Sequence, residues 1–107
     1  MFKVVKRDGE VAEFDIAKIG GAISKAFDAT KKHYNQDMTE LLSLRVTSDF
    51  QSKIKDGRID VESIQDSVEN TLVQAGYGDV AKAYILYRKQ REKIRNMKST
   101  ILDYKEI

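Results

Sequence analysis

The sequence predicts an α+β fold: a small four-helix bundle capped by a short two- or three-stranded antiparallel sheet. Three observations predict it. Phe2 to Arg7 alternates in the manner of a strand and runs into Asp8-Gly9, a turn pair. Four later segments carry apolar residues at helical spacing. Proline is absent, so helices can run unbroken and glycine must supply the breaks.

In the first strand Phe2, Val4 and Lys6 fall on one face, and Lys3, Val5 and Arg7 on the other. Asp8-Gly9 favours a tight hairpin because Gly accepts positive φ without Cβ strain, and Glu10 to Phe14 makes the returning strand. Asp15 reads as an N-cap whose carboxylate accepts from an unpaired first-turn amide. Ile16, Ile19, Ile23, Ala26 and Phe27 then carry a first helix to about Ala29. Gly20-Gly21 lies inside it at about 1 kcal/mol per Gly relative to Ala, which close helix packing explains.

Thr30 to Gln36 is polar and loop-like. Asp37 and Glu40 form a D-x-x-E start of the capping-box kind. Met38, Leu42, Val46, Phe50 and Ile54 recur every four residues, so the second helix reaches about Ile54. Asp56-Gly57 ends it, and Arg58 to Asp60 is a candidate third strand on the hairpin. Asp60 is placed to cap a third helix, with Val61, Ile64, Val68, Leu72 and Ala75 inward and Gly76 at its C′ position. Gly78-Asp79 restarts the chain. Val80, Ala83, Tyr84, Tyr87 and Ile94 line a fourth helix to about Met97. Ser99 to Ile107 has no strong pattern, and Ile101, Leu102 and Ile107 lack an evident core there.

Composition narrows the function. The chain has 107 residues, the size of one domain, and 41% of them are hydrophobic, enough for one modest core. A net charge of +2 argues for neither nucleic acid nor membrane by itself. Cysteine is absent, which excludes disulfides, thiolate metal sites and cysteine nucleophiles and suits a reducing cytoplasm. No apolar run approaches the roughly 20 residues of a membrane span. There is no G-x-x-x-x-G-K-[ST] loop and no G-x-G-x-x-G. His33 is the sole histidine and falls in the polar loop, so a His-paired metal site or a serine triad is not expected. Carboxylates fall mostly at caps and outer helix faces, and none forms an evident acid/base pair. No catalytic residue and no resident metal is therefore expected.

Two features remain. Lys6 and Arg7 sit together where the first strand meets its turn. By strand alternation they point to opposite faces, so they share a pocket only if the hairpin end curls. Lys18 lies in the first turn of the first helix, and with Lys6 and the free amides there it forms an anion-attracting corner. The plainer alternative is that Lys6 and Arg7 blunt a sheet edge and Lys18 is a surface lysine. The second feature is the fourth helix. From Lys82 to Lys98 it carries seven cations against Glu92 alone, and Arg88, Arg91 and Arg95 form one stripe. A solvated face, favoured by the helix dipole, and a polyanion-contacting face both fit this pattern.

These residues carry a resemblance. Val4-Val5-Lys6-Arg7-Asp8-Gly9, then Phe14-Asp15-Ile16-Ala17-Lys18-Ile19 with Ala22-Ile23, resembles the opening of the ATP-cone family. Ile64-Gln65-Asp66-Ser67-Val68-Glu69 is similar to its third-helix segment, and Ala83 to Arg91 to its Y-x-x-Y-R-x-x-R close. The four matches occur in order over nearly the whole chain. The resemblance implies a helical bundle capped by a short sheet that binds ATP or dATP, with Mg2+ accompanying the triphosphate. It implies an allosteric switch for the overall activity of a ribonucleotide reductase, in the cytoplasm, with no chemistry of its own.

The starting Met followed at once by the cone, and the tail KSTILDYKEI, look most like the anaerobic, glycyl-radical class. On this reading residues 1–98 are the nucleotide-binding domain, and 99–107 are a tail or the start of a linker to a catalytic domain. The partners implied are an adenine nucleotide, the catalytic body of the parent reductase and other cones. By resemblance Val4, Lys6 and Arg7 line the nucleotide from the hairpin, Lys18 contacts phosphate and Ile19 lies beside the base. Arg88 and Arg91 are the candidates from the fourth helix. Some members use an acidic residue on the second strand, where Ala12 stands here with Glu13 beside it. Some use a threonine opening the third helix, where this chain has Asp60 and Val61. Those departures leave ATP-versus-dATP preference and stoichiometry open. The alternatives are a nucleotide-sensing domain of a repressor of reductase genes, a nucleic-acid-binding module using the basic fourth helix, and an assembly domain without a ligand. In the repressor a zinc ribbon precedes the cone, and this chain has neither cysteine nor an upstream segment.

Overall fold

The computed structural model describes the backbone of residues 2–106 and the side chains of residues 2–94. Strands β1 (Lys3–Val5) and β2 (Val11–Glu13) form the hairpin, followed by helices α1 (Ile16–Thr30) and α2 (Gln36–Phe50). A 3-10 turn, Gln51–Lys53, leads to strand β3 (Arg58–Asp60), then to helices α3 (Val61–Gln74) and α4 (Gly78–Glu106).

The third strand is present, but the sheet is mixed rather than antiparallel. Its order is β2-β1-β3; β1 runs antiparallel to β2 and parallel to β3, with Val4 opposite Ala12 on one side and Ile59 on the other. The direction follows from the connection. The chain leaves β2, builds α1 and α2, and returns to the far edge of β1; a crossover of that length accommodates a parallel partner, which a tight turn cannot. A two-residue turn sets up the return. Asp56 and Gly57 both take positive φ (53° and 71°), and Lys55 and Arg58 exchange backbone hydrogen bonds at 2.9 and 3.0 Å across them.

The first hairpin uses a three-residue loop. Gly9, at φ 88°, donates to the Lys6 carbonyl at 2.9 Å, and Lys6 N–H donates to the Glu10 carbonyl at 2.8 Å. Strand alternation therefore ends at Val5, and Arg7 belongs to the turn. The returning strand is shorter than expected, Val11–Glu13 rather than Glu10 to Phe14.

Asp15 caps α1 as expected, accepting from Ala17 N–H at 3.0 Å. The second helix starts earlier than the D-x-x-E pattern suggested. Asn35 is its cap, accepting from Met38 N–H at 2.9 Å, and Gln36 rather than Asp37 or Glu40 begins the helix. It also stops at Phe50 instead of Ile54, because the chain tightens into the 3-10 turn. Asp60 occupies the N-cap position of α3 but makes no side-chain capping bond. Gly76, at φ 91°, closes α3 in a Schellman arrangement: Tyr77 N–H donates to Leu72 O at 2.8 Å, and Gly76 N–H to Val73 O at 3.0 Å. Helix α4 continues past Met97 to Glu106, and the side chains of Arg95, Ile101, Leu102 and Ile107 lie outside the described residues.

The core draws mostly on the residues that helical spacing picked out, with Ile59 of β3 and Ala81 of α4 added. Ile19, Ile23, Ala26 and Phe27 of α1 pack with Leu42, Val46 and Phe50 of α2, with Ile64, Val68 and Leu72 of α3, and with Val80, Ala81 and Tyr84 of α4. Ile16 and Ile94 depart from the expectation and are 38% and 53% exposed. Phe2 and Phe14 flank the sheet, each ring 5.6 Å edge-on from Phe50, and so tie the hairpin to the end of α2. This contact fixes where the hairpin loop sits over the helices. The glycine pair divides. A Cβ on Gly20 would meet Ser43 Oγ of α2 at 3.4 Å, so close packing accounts for it. A Cβ on Gly21 would meet nothing within 4 Å, and close packing does not account for that one.

Candidate functional site

The hairpin loop and helices α1, α3 and α4 enclose a cleft of about 610 Å³. Lys6 and Arg7 enter from the loop, Lys18, Gly21, Ala22 and Lys25 from α1, and Gln65 from α3; Tyr84, Tyr87, Arg88, Arg91 and Glu92 enter from α4. Six of these are cations and one is a carboxylate, so the cleft attracts anions. A smaller compartment of about 190 Å³ adjoins it and shares Lys6, Lys18, Ala22, Gln65 and Tyr84. Its remaining wall is mostly apolar: Val4, Ala12, Phe14, Ile19, Val61, Ile64 and Val68, with the carboxylates of Glu13 and Asp15.

All seven residues expected to form a site border this double cavity. Val4 and Ile19 line the apolar compartment, Arg7, Arg88 and Arg91 line the cationic cleft, and Lys6 and Lys18 stand where the two meet. Lys6 and Arg7 share the cleft because the three-residue loop takes Arg7 out of strand alternation. Neither Lys6 nor Lys18 forms an ion pair with a described residue.

The other cations are already engaged. Arg7 pairs with Glu92 of α4, and its Nε lies 3.4 Å from Glu62 of α3. Arg88 donates to Gln65 Oε1 at 3.3 Å and lies 2.9 Å from Glu69, with only 21% of its side chain exposed. This clamps α4 to α3. Arg91 donates to the Tyr87 hydroxyl at 3.4 Å, and Lys25 donates to the same oxygen at 3.1 Å. The Lys25 hydrogen bond, aided by the one from Arg91, holds the Tyr87 phenol below its ordinary range. Burial pushes the neighbouring Tyr84 phenol up to about 12.

One expected contribution is reduced. The opening amides of α1 were expected to join Lys18 around an anion. Ala17 N–H is taken by the Asp15 carboxylate, and Lys18 N–H donates to the Asp15 carbonyl at 3.1 Å. A carboxylate at that helix start opposes an anion, so the positive field of the cleft comes from side chains. Sequence reasoning also did not place Lys25, Gln65 or the Tyr87 hydroxyl in this cleft. Lys18 and Lys25 are seven apart on α1, with Ala22 between them on one stripe, and that spacing was the available signal.

The family model of the ATP cone domain matches residues 2–93. The chain belongs to the ATP-cone family. An ATP cone is a regulatory module that binds adenine nucleotide, and as a fragment it is not catalytic. Similar proteins are reductases of several kinds. The cone is 42% identical over 98 residues to the ribonucleoside-diphosphate reductase subunit alpha of Chlamydia pneumoniae, covering 86% of this chain and 9% of that one. It is 41% identical over 102 residues to the vitamin B12-dependent ribonucleoside-diphosphate reductase of Thermoplasma acidophilum, covering 90% of this chain and 13% of that protein. It is 36% identical over 103 residues to the anaerobic ribonucleoside-triphosphate reductase of Haemophilus influenzae, covering 94% of this chain and 14% of the relative. This cone therefore spans between 9% and 14% of the length of these curated relatives.

Proposed function

We propose that the cone binds ATP or dATP in the double cavity and uses the bound nucleotide to set the overall activity of a ribonucleotide reductase. The observation that carries this reading is the position of Lys6 and Lys18, without an ion pair to any described residue and at the junction of an apolar compartment with a cationic cleft. A nucleotide has the matching division, a flat apolar base at one end and a polyanion at the other. On this reading the base lies against Val4 and Ile19, Lys6 and Lys18 hold the first phosphates, and Arg7, Arg88 and Arg91 complete the positive wall. Mg2+ arrives with the triphosphate; among the described residues no cluster of three or more His, Cys, Asp or Glu stands ready to hold a metal ion.

Regulation requires two states of the assembly, and a ligand shifts them only by its differential affinity. Arg7 supplies the difference here. Its ion pairs with Glu92 and Glu62 hold the loop to α4 and α3, and a phosphate drawing on Arg7 weakens both. Helix α4 carries that change towards residues 99–107, which we read as the beginning of the linker to the catalytic body. The parent's class, the packing of cones on each other and a cytoplasmic setting belong to this proposal; no helix among the described residues is long and apolar enough to cross a membrane.

The nucleic-acid reading loses support from the same geometry. Arg88 is half-buried on Glu69 and Gln65, and Arg91 lines the cleft, so two of the three stripe residues are not a free outer face. Calorimetric titration of the chain with ATP, dATP and duplex DNA tests the reading. Saturable binding of either nucleotide is the expected result; a folded chain silent to both refutes it, and DNA binding that falls steeply with salt favours the alternative.

A further inference from the structure

Lys25 and Tyr87 have no part in the site so far, although both line the cationic cleft and neither borders the apolar compartment. Lys25 follows Lys18 by seven residues on α1, which places its backbone about 10 Å further along the helix. The cleft is thus longer than the Lys6–Lys18 junction. At this far end three groups converge. Lys25 Nζ and Arg91 Nη1 both donate to the Tyr87 hydroxyl, at 3.1 and 3.4 Å. The Lys25 ammonium also lies 5.3 Å from the Tyr87 ring centroid and the Arg91 guanidinium 5.8 Å from it.

A phenol has two acceptor lone pairs and one proton to donate. Both lone pairs of Tyr87 are occupied by cations, so its O–H is left as a donor, sharpened by the two positive charges beside it. An O–H donor flanked by an ammonium and a guanidinium complements a phosphate with two charges, as at the end of a polyphosphate, better than an uncharged base or sugar. We propose that Lys25, Tyr87 and Arg91 form a terminal-phosphate station that makes the cone selective for nucleoside triphosphates over di- and monophosphates. The proposal rests on the nucleotide reading above and adds a residue-level origin for phosphate counting.

The test is calorimetric titration of ATP, ADP and AMP into the unmodified chain and into the Tyr87→Phe and Lys25→Gln chains, with folding verified by circular dichroism. Tyr87→Phe keeps the ring, and Lys25 is exposed, so each variant covers for the other if one misfolds. The unmodified chain is expected to prefer ATP. Each substitution is expected to weaken ATP by about tenfold, the value of a charge-assisted hydrogen bond, and to leave AMP unchanged. The preference for ATP over ADP then contracts. If ATP, ADP and AMP affinities fall together in the variants, or none changes, the station is refuted while the nucleotide reading survives. If the unmodified chain binds no adenine nucleotide, both fall.

Discussion

Arg7, in the first hairpin loop, forms an ion pair with Glu92 near the middle of α4, and both side chains line the cationic cleft. The loop of the sheet is thereby tied to α4, the last helix of the described residues. Among the described residues Glu92 is also the one carboxylate in that lining, so it competes with any anion for Arg7.

Replacing Glu92 with Gln is expected to tighten nucleotide binding by about two- to fivefold, the range of a part-exposed ion pair. Calorimetry with ATP measures it. Weaker binding in the variant would mean that Glu92 positions Arg7 for the ligand instead of holding it away.

Lys6→Ala and Lys18→Ala should each weaken ATP by about tenfold or more, because each removes a charge-assisted contact to phosphate. Neither lysine has an ion pair to lose among the described residues, so the stability of the chain should change by no more than about 0.5 kcal/mol. Chemical denaturation alongside the titration separates the two effects. Unchanged affinity in both variants would move the phosphates elsewhere.

Arg88 is expected to act mainly on the fold. Its removal strands Glu69, whose side chain is 23% exposed and whose buried Oε1 has no partner but Arg88 among the described residues. Arg88→Ala should therefore cost about 2 kcal/mol of stability, and Glu69→Gln in the same chain should restore part of it. A fully stable Arg88→Ala chain would show that the clamp is dispensable.

Alkaline pH gives a separate check on the cleft wall. Burial holds the Tyr84 phenol at about 12, against 10 in an unfolded chain. Below the unfolded value both states keep the proton and the contribution is fully present. As pH climbs towards the folded value the unfolded chain ionises first, and stability is lost. Denaturant unfolding should show about 2 kcal/mol more loss between about pH 9 and about pH 11.5 in the unmodified chain than in Tyr84→Phe. Equal slopes would place Tyr84 in contact with water.

Local signals made most of this fold legible. Asp15 capped its helix, Gly9 and Gly76 took the positive φ that their turns need, and the four-residue spacing of Leu42, Val46 and Phe50 marked a buried face. What was not legible depends on contacts distant in sequence. The direction of β3 relative to β1 is decided by the path through α1 and α2, not by Arg58 to Asp60 themselves. Asn35 was overlooked because Asp37 and Glu40 imitate a capping box two residues downstream. In the site, family resemblance named residues on both sides of the double cavity. It did not reveal that Arg88 spends its charge on Glu69, or that Lys25 meets Tyr87 across the cleft.

The central claim is that two lysines at a junction sort a nucleotide into its apolar and anionic halves. A crystal structure of the chain grown with excess ATP tests this most directly. The account predicts the adenine ring between Val4 and Ile19, with the phosphates running past Lys6 and Lys18 towards Lys25 and Tyr87. A nucleotide bound elsewhere, or lying here with its base among the arginines, would contradict it.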